Sequence, residues 1–223
     1  MTLAIFDLDH TLINGDSDYL WGEYMVARGI VDEAAYRERN ALFYQDYQRG
    51  CLDNDCYLEF ALEPLTWHPI EDLHAWREDY VENWIRPLIA PGAPALLENH
   101  RRVGHDLMVI SATHRFISEP IATMLGVDTV LATEPEIIDN RYSGRYLGIP
   151  TYQQGKVTAL EEWLGGNTAV LAESYFYSDS INDLALLEAV GYPVAVGPDD
   201  DLRVIAEARG WKIIDLEAPA EDG

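Results

Sequence analysis

Near its N-terminus the chain reads LAIFDLDHTL, an apolar run that ends abruptly in two aspartates two positions apart. A short apolar run bounded in this way predicts a strand buried on both faces, the pattern of a parallel sheet. Side chains two apart on extended backbone point the same way, so Asp7 and Asp9 leave the strand end toward one side. Like charges so close destabilise each other, and burying them is costly unless a cation joins them. The fold must therefore bring a positive group to this strand end.

Further apolar runs recur along the chain: DLMVIS at 106–111, TVLAT at 129–133, SYFYSD at 174–179, PVAV at 193–196 and WKIID at 211–215. Helical patterns separate them, such as GKVTALEEWLGG with Val157, Leu160 and Leu164 at helical spacing before a Gly-Gly stop. This alternation predicts an α/β fold, a Rossmann-like parallel sheet flanked by helices. EIIDNRYSGRYLG reads as a hairpin turning at Asp139 and Asn140. Residues 14–91 break the alternation: they hold four of the six Trp and seven of the thirteen Tyr, in amphipathic helical spacing. We expect an inserted helical bundle there, acting as a cap over a core made of 1–13 and 92–217, with a flexible tail at 218–223. An insert that springs from the loop after the first strand sits over that strand's C-terminal end, where open α/β sheets bind ligands.

Composition narrows the function classes. Asp and Glu total 39 against 15 Lys and Arg, a formal charge of -24, which opposes binding to nucleic acid or an anionic membrane. No apolar run approaches the roughly 20 residues that span a bilayer, and no leader is recognisable before Asp7. Cys51 and Cys56 are the only cysteines, which fits a reducing, cytoplasmic setting. An anionic small molecule remains an acceptable partner wherever the site supplies local positive charge.

Four separated pieces fall at or beside the C-terminal ends of the predicted strands: DLDHT at 7–11, Ser111, Lys156 in QGKV, and SDSINDLALL from 178. Taken singly, Ser111 is a polar strand end, Lys156 a solvated helix residue, and Asp179, Ser180 or Asn182 a helix cap. Asp7 and Asp9 do not dissolve so easily. Asp7, Asp9 and Asp179 can converge on a hard, oxygen-preferring ion, for which Mg²⁺ is the best match.

In this order FDLDHTL, VIS, GK and YSDSINDLALL resemble the four motifs of the haloacid dehalogenase superfamily, in its phosphoserine phosphatase-like branch, and the helical insert matches the cap of that branch. The resemblance implies a Mg²⁺-dependent phosphomonoester hydrolase working through a phosphoaspartyl intermediate. It implies that Asp7 attacks phosphorus and that Asp9 protonates the leaving alkoxide and then deprotonates water. The Asp7 and Asp179 side chains and the Asp9 carbonyl would hold the metal, with Asp183 steering coordinated water. Ser111 and Lys156 would grip the phosphate, helped by Asn182. Asp9 argues against dehalogenation, since a leaving halide needs no proton. A phosphorylatable signalling receiver also combines acids, a hydroxyl, a lysine and Mg²⁺, but it is shorter, uncapped, and carries its phosphorylated Asp on a later strand.

For the substrate, the branch places an acid seven positions after the second aspartate to meet an ammonium, and Asp16 occupies that place. A loose match of GCLDNDCYLEF sets Glu59 where a carboxylate-binding arginine is expected, with Arg39, Arg49 and Arg115 as possible substitutes. The branch includes histidinol-phosphatases, whose substrate has an ammonium and an imidazole but no carboxylate. Histidinol phosphate is therefore the expected substrate and phosphoserine the alternative.

Overall fold

A computed structural model describes residues 2–217. The tail expected at 218–223 lies outside the described residues.

The apolar run Leu3–Phe6 forms β1, and all four of its side chains are buried. Alternation divides them between the two faces of a sheet: Leu3 and Ile5 enter one apolar cluster, Ala4 and Phe6 the other. Six parallel strands make that sheet: β1, β2 (Asp106–Ile110), β3 (Thr129–Leu131), β6 (Tyr175–Ser178), β7 (Tyr192–Val196) and β8 (Lys212–Ile214), in the order β3-β2-β1-β6-β7-β8. One face is covered by α5 (Ala93–Arg102) and α6 (Arg115–Met124) through Leu97, Phe116, Ile117 and Ile121. The other is covered by α7 (Gln154–Trp163), α8 (Leu184–Ala189) and α9 (Asp200–Arg209) through Leu160, Leu186, Leu187 and Leu202. The strand order reverses between β1 and β6, so a crevice opens above the C-terminal ends of those two strands, the ligand position of open α/β sheets.

The helical stretch between β1 and α5 comprises α1 (Ser17–Ala27), α2 (Glu33–Gln48), α3 (Asn54–Leu62) and α4 (Ile70–Tyr80). Asp16, Asp32 and Asp53 cap the first three, each carboxylate accepting backbone N–H groups of the first turn. Part of the acidic excess is thus local helix initiation. Gly29 and Gly50, at φ of 66° and 67°, end α1 and α2 in the left-handed conformation that glycine adopts most readily. Trp21, Tyr24 and Tyr80 are almost fully buried and pack with stacked, edge-to-face and tilted rings at 5.2–5.5 Å. They belong to the same cluster as Phe6 and Phe116, so the helical stretch and one face of the sheet share a core.

The hairpin forms as expected from β4 (Glu134–Ile138) and β5 (Arg141–Leu147). Asp139 and Asn140 turn it at φ of 49° and 61°, the two positive values of a hairpin turn that matches strand twist. Its second strand packs against α3, tying the helical stretch to the core at a second place.

Candidate active site

Loops from four elements meet above the β1–β6 crevice. The chain turns sharply after Asp9, with His10 at φ of 53°, and both Asp7 and Asp9 are buried. Lys156 reaches Asp7 from the first turn of α7. Its neighbour Gly155 is packed so closely that an added Cβ would stand 1.9 Å from the Pro150 carbonyl oxygen, so a side chain there would displace the lysine's turn. Lys156 is only 2% exposed, and its Nζ donates to Asp7 Oδ1 at 2.7 Å and to Asp183 Oδ2 at 2.8 Å. The Ser178 hydroxyl donates to the same Asp183 oxygen at 2.7 Å. One ammonium thus ties the loop after β1 to the loop after β6.

Asp9 is held at both oxygens. Oδ1 accepts the Ser17 N–H at 2.7 Å and Oδ2 accepts the Thr113 hydroxyl at 2.8 Å. Ser111, fully buried just beyond β2, accepts the Thr113 N–H at its Oγ, while its carbonyl accepts the Thr151 hydroxyl. Asp179 Oδ1 accepts the Thr11 hydroxyl at 3.1 Å. The sequence-predicted residues Asp7, Asp9, Ser111, Lys156, Asp179 and Asp183 therefore share one region. Thr11, Ser17, Thr113 and Ser178 complete it and were not predicted. Asp183 faces Lys156 directly and so sets the lysine's position. The Asn182 side chain is engaged elsewhere: its Nδ2 donates to the Tyr47 carbonyl at 3.0 Å, and its Oδ1 accepts from Gln153 Nε2 at 3.1 Å.

Burial dominates the electrostatics. It pushes Asp7 up to about 7, opposed by Lys156 and reinforced by the nearby Asp183 and Asp9. It pushes Asp9 up to about 6, with repulsion from Asp16 adding and the bonds from Ser17 and Thr113 subtracting. Asp179 rises well above the ordinary carboxylate range through burial and the proximity of Asp7. Burial alone would lower Lys156, yet Asp183 and Asp7 outweigh it and keep the ammonium charged. Lys156 pairs with Asp7 and Asp183 only, so among the described residues Asp179 has no cationic partner. No three His, Cys, Asp or Glu side chains among the described residues gather into a metal-binding cluster. The set expected for Mg²⁺ needs two carboxylates and a carbonyl, and the oxygen-only donors Asp7 and Asp179, the second without a cationic partner among the described residues, fit that ion.

A pocket opens from Asp7 and Asp9 toward the helical stretch. Its walls are Tyr19, Asn40, Phe43, Tyr44, Tyr47, Leu52, Asn54 and Tyr57, together with Asp16, Asp18, Ala112 and Thr113. Among the described residues no lysine or arginine lines it. Asp16 caps α1, its Oδ1 accepting the Asp18 and Tyr19 N–H groups at 3.0 and 2.7 Å, and burial pushes it up to about 7. Glu59 is a correction: it is exposed and does not line this pocket, and from α3 the wall receives Asn54 and Tyr57 instead. The three arginines considered as substitutes are also elsewhere. Arg39 lies over the Phe60 ring, Arg49 ends α2 on the surface, and Arg115 pairs with Glu134 and Glu119.

The profile of the haloacid dehalogenase-like hydrolases matches residues 4–188. The chain belongs to that family. This hydrolase is 42% identical to a histidinol-phosphatase of Neisseria meningitidis serogroup C (strain 8013), over 96% of this chain and 99% of that protein. A crystal structure from Bordetella pertussis Tohama I, of a protein of unknown function, matches at 42% identity with a TM-score of 0.90, covering 97% of this chain and 100% of that one. A substrate-bound phosphoserine phosphatase shares the fold at 20% identity and a TM-score of 0.68, over 97% of this chain and 93% of that one. The hydrolase is a phosphatase. No helix among its described residues is long and apolar enough to cross a membrane.

Proposed function

We propose that the enzyme hydrolyses histidinol phosphate in cytoplasmic amino-acid biosynthesis, by two in-line displacements through a phosphoaspartyl intermediate on Asp7, with residues 14–91 serving as a cap over the core of 1–13 and 92–217. The observation that carries the substrate is the pocket wall: Asp16 and Asp18 in addition to Asp7 and Asp9, several aromatic rings and, among the described residues, no lysine or arginine. A substrate ammonium is attracted to such a wall, whereas a substrate carboxylate would meet Asp16 and Asp18 without a compensating cation. The relative named histidinol-phosphatase agrees with this reading.

Asp7 stands at the strand end with Lys156 on one oxygen, so its other oxygen is free to attack phosphorus. Lys156 also offsets repulsion between Asp7 and the incoming phosphate, and the Ser111 hydroxyl donates to a non-bridging oxygen. Asp9, fixed by Ser17 and Thr113, passes its proton to the leaving alkoxide and afterwards takes one from the attacking water. Mg²⁺, held by Asp7, Asp179 and the Asp9 carbonyl, would supply charge neutralisation for both phosphate and acids. Asp16 receives the ammonium on the carboxylate oxygen not used for capping α1.

Steady-state kinetics test the reading. With Mg²⁺, kcat/KM for histidinol phosphate should exceed that for phosphoserine by about tenfold or more, since an unpaired carboxylate costs about 1–3 kcal/mol. EDTA should silence the enzyme and Mg²⁺ restore it. Asp7→Asn should abolish turnover with little change in melting temperature. A preference for phosphoserine would defeat the substrate assignment, and turnover by Asp7→Asn with deamidation excluded by mass spectrometry would defeat the covalent route.

A further inference from the structure

Asp16 and Asp18 both line the pocket, two positions apart at the start of α1, but they are not equivalent. Asp16 caps the helix. Asp18 takes no part in the cap beyond giving its N–H to Asp16, and its own carboxylate is buried at 8% exposure. The nearby Tyr57 hydroxyl opposes the effect of burial on that carboxylate. His114, wholly buried, stands beside it with Nε2 3.4 Å from Asp18 Oδ1. Among the described residues neither ring nitrogen of His114 has a hydrogen-bond partner.

His114 cannot act as the missing cation, because burial drives it down to about 3 and keeps it neutral. Asp18, raised by burial to about 6, is still ionised above neutral pH. The N-terminus of α1 favours a negative charge, but that preference is modest and Asp16 already serves it. A nearly enclosed carboxylate therefore faces a pocket that, among the described residues, has no lysine or arginine, with a tyrosine hydroxyl and a neutral ring nearby. Such a charge is costly in the free protein, and the deficit is relieved when a ligand brings a donor.

We propose that Asp18 is a specificity residue that accepts a second nitrogen donor of the substrate, an azole N–H, at a place distinct from the ammonium subsite at Asp16. This rests on the reading of the substrate as histidinol phosphate and sharpens it: the preferred class is a small phosphomonoester bearing both an ammonium and an N–H heteroaromatic ring. Phe43, Tyr44 and Tyr57 supply apolar walls for that ring. Tyr57 and His114 flank the carboxylate and act only through it.

The full-length enzyme with Mg²⁺ tests this by the ratio of kcat/KM for histidinol phosphate to kcat/KM for phosphoethanolamine, which has the ammonium but no ring. Asp18→Asn should lower that ratio at least tenfold, chiefly through KM, because a charge-assisted acceptor becomes a neutral one. Asp16→Asn should depress both substrates in proportion. Tyr57→Phe should shift the ratio in the same direction as Asp18→Asn by a smaller factor, and it decides the matter should Asp18→Asn fail to fold. A wild-type preference for histidinol phosphate that survives Asp18→Asn, or losses equal for both substrates, overturns the role of Asp18 alone. A wild type that does not prefer histidinol phosphate over phosphoethanolamine overturns the substrate reading as well.

Discussion

The charge balance of the site turns on Lys156, since its ammonium faces two buried carboxylates and has no other hydrogen-bond partner among the described residues. Replacing it with methionine keeps the length and apolar stem but leaves Asp7 and Asp183 uncompensated. Lys156→Met should lose activity and, in metal-free buffer, destabilise the protein by about 3–5 kcal/mol in urea unfolding. The double variant Lys156→Met/Asp7→Asn should recover part of that loss, because one of the stranded charges is gone. Strict additivity of the two changes would argue that the ion pair contributes nothing. At this scale the charged residues were legible in the sequence: an acid at the end of an apolar strand is an anomaly that demands a partner. Thr11, Ser17, Thr113 and Ser178 were not. Hydroxyls and backbone donors at loop ends occur everywhere, and only the fold reveals that these four aim at Asp179, Asp9 and Asp183.

Between elements, the side chain of Asn182 forms a bridge from the loop after β6 to the end of α2, assisted by Gln153, whose amide also meets the Gly50 carbonyl at 3.5 Å. Gln153 is held at φ of 48°, a conformation other residues than glycine adopt at a cost, which marks how firmly the surrounding contacts fix it. Asn182→Ala removes hydrogen bonds worth about 1–2 kcal/mol in sum, so amide exchange over residues 47–53 should accelerate roughly tenfold while the sheet stays protected. Uniform exchange across the molecule would mean that these contacts do not hold α2 to the core. The strands, the hairpin and the helical insert were readable from apolar runs, turn residues and helical spacing. The facing of α3 was not. Its short helix turns Asn54 and Tyr57 inward and leaves Glu59 outside, and a loose motif match has no information about helix phase.

For the molecule as a whole, the buried acids make stability depend on pH in an unusual direction. Asp7 and Asp16 titrate near 7 and Asp9 and Asp18 near 6 in the folded chain, against 3.8 for an ordinary aspartate. As pH falls from 8 toward 6 the metal-free folded protein binds protons that the unfolded chain does not, so its stability rises. Three histidines work the other way. Burial holds His114 near 3 and His100 near 4 and also lowers His74, so below about 6.5 the unfolded chain gains protons that the folded one refuses. With Asp179, which is raised as well, five acids outnumber three histidines, and falling pH also relieves the repulsion of a chain with a formal charge of -24. In EDTA, Tm should therefore increase from pH 8 to pH 6. On the proposed site Mg²⁺ would neutralise Asp7 and Asp179 without protons, so it should raise Tm more at pH 8 than at pH 6 and flatten the profile. Asp16→Asn, which keeps a capping side chain, should raise Tm at pH 8 by removing one of these charges; because Asp16 retains some contact with water, the gain should be about 1–3 kcal/mol rather than the full equivalent of its shift. Thermal melts at pH 8, 7 and 6, with EDTA and with Mg²⁺, measure all three. A metal-free Tm that falls from pH 8 to pH 6 would show that these carboxylates are not the buried charges that the site geometry makes them.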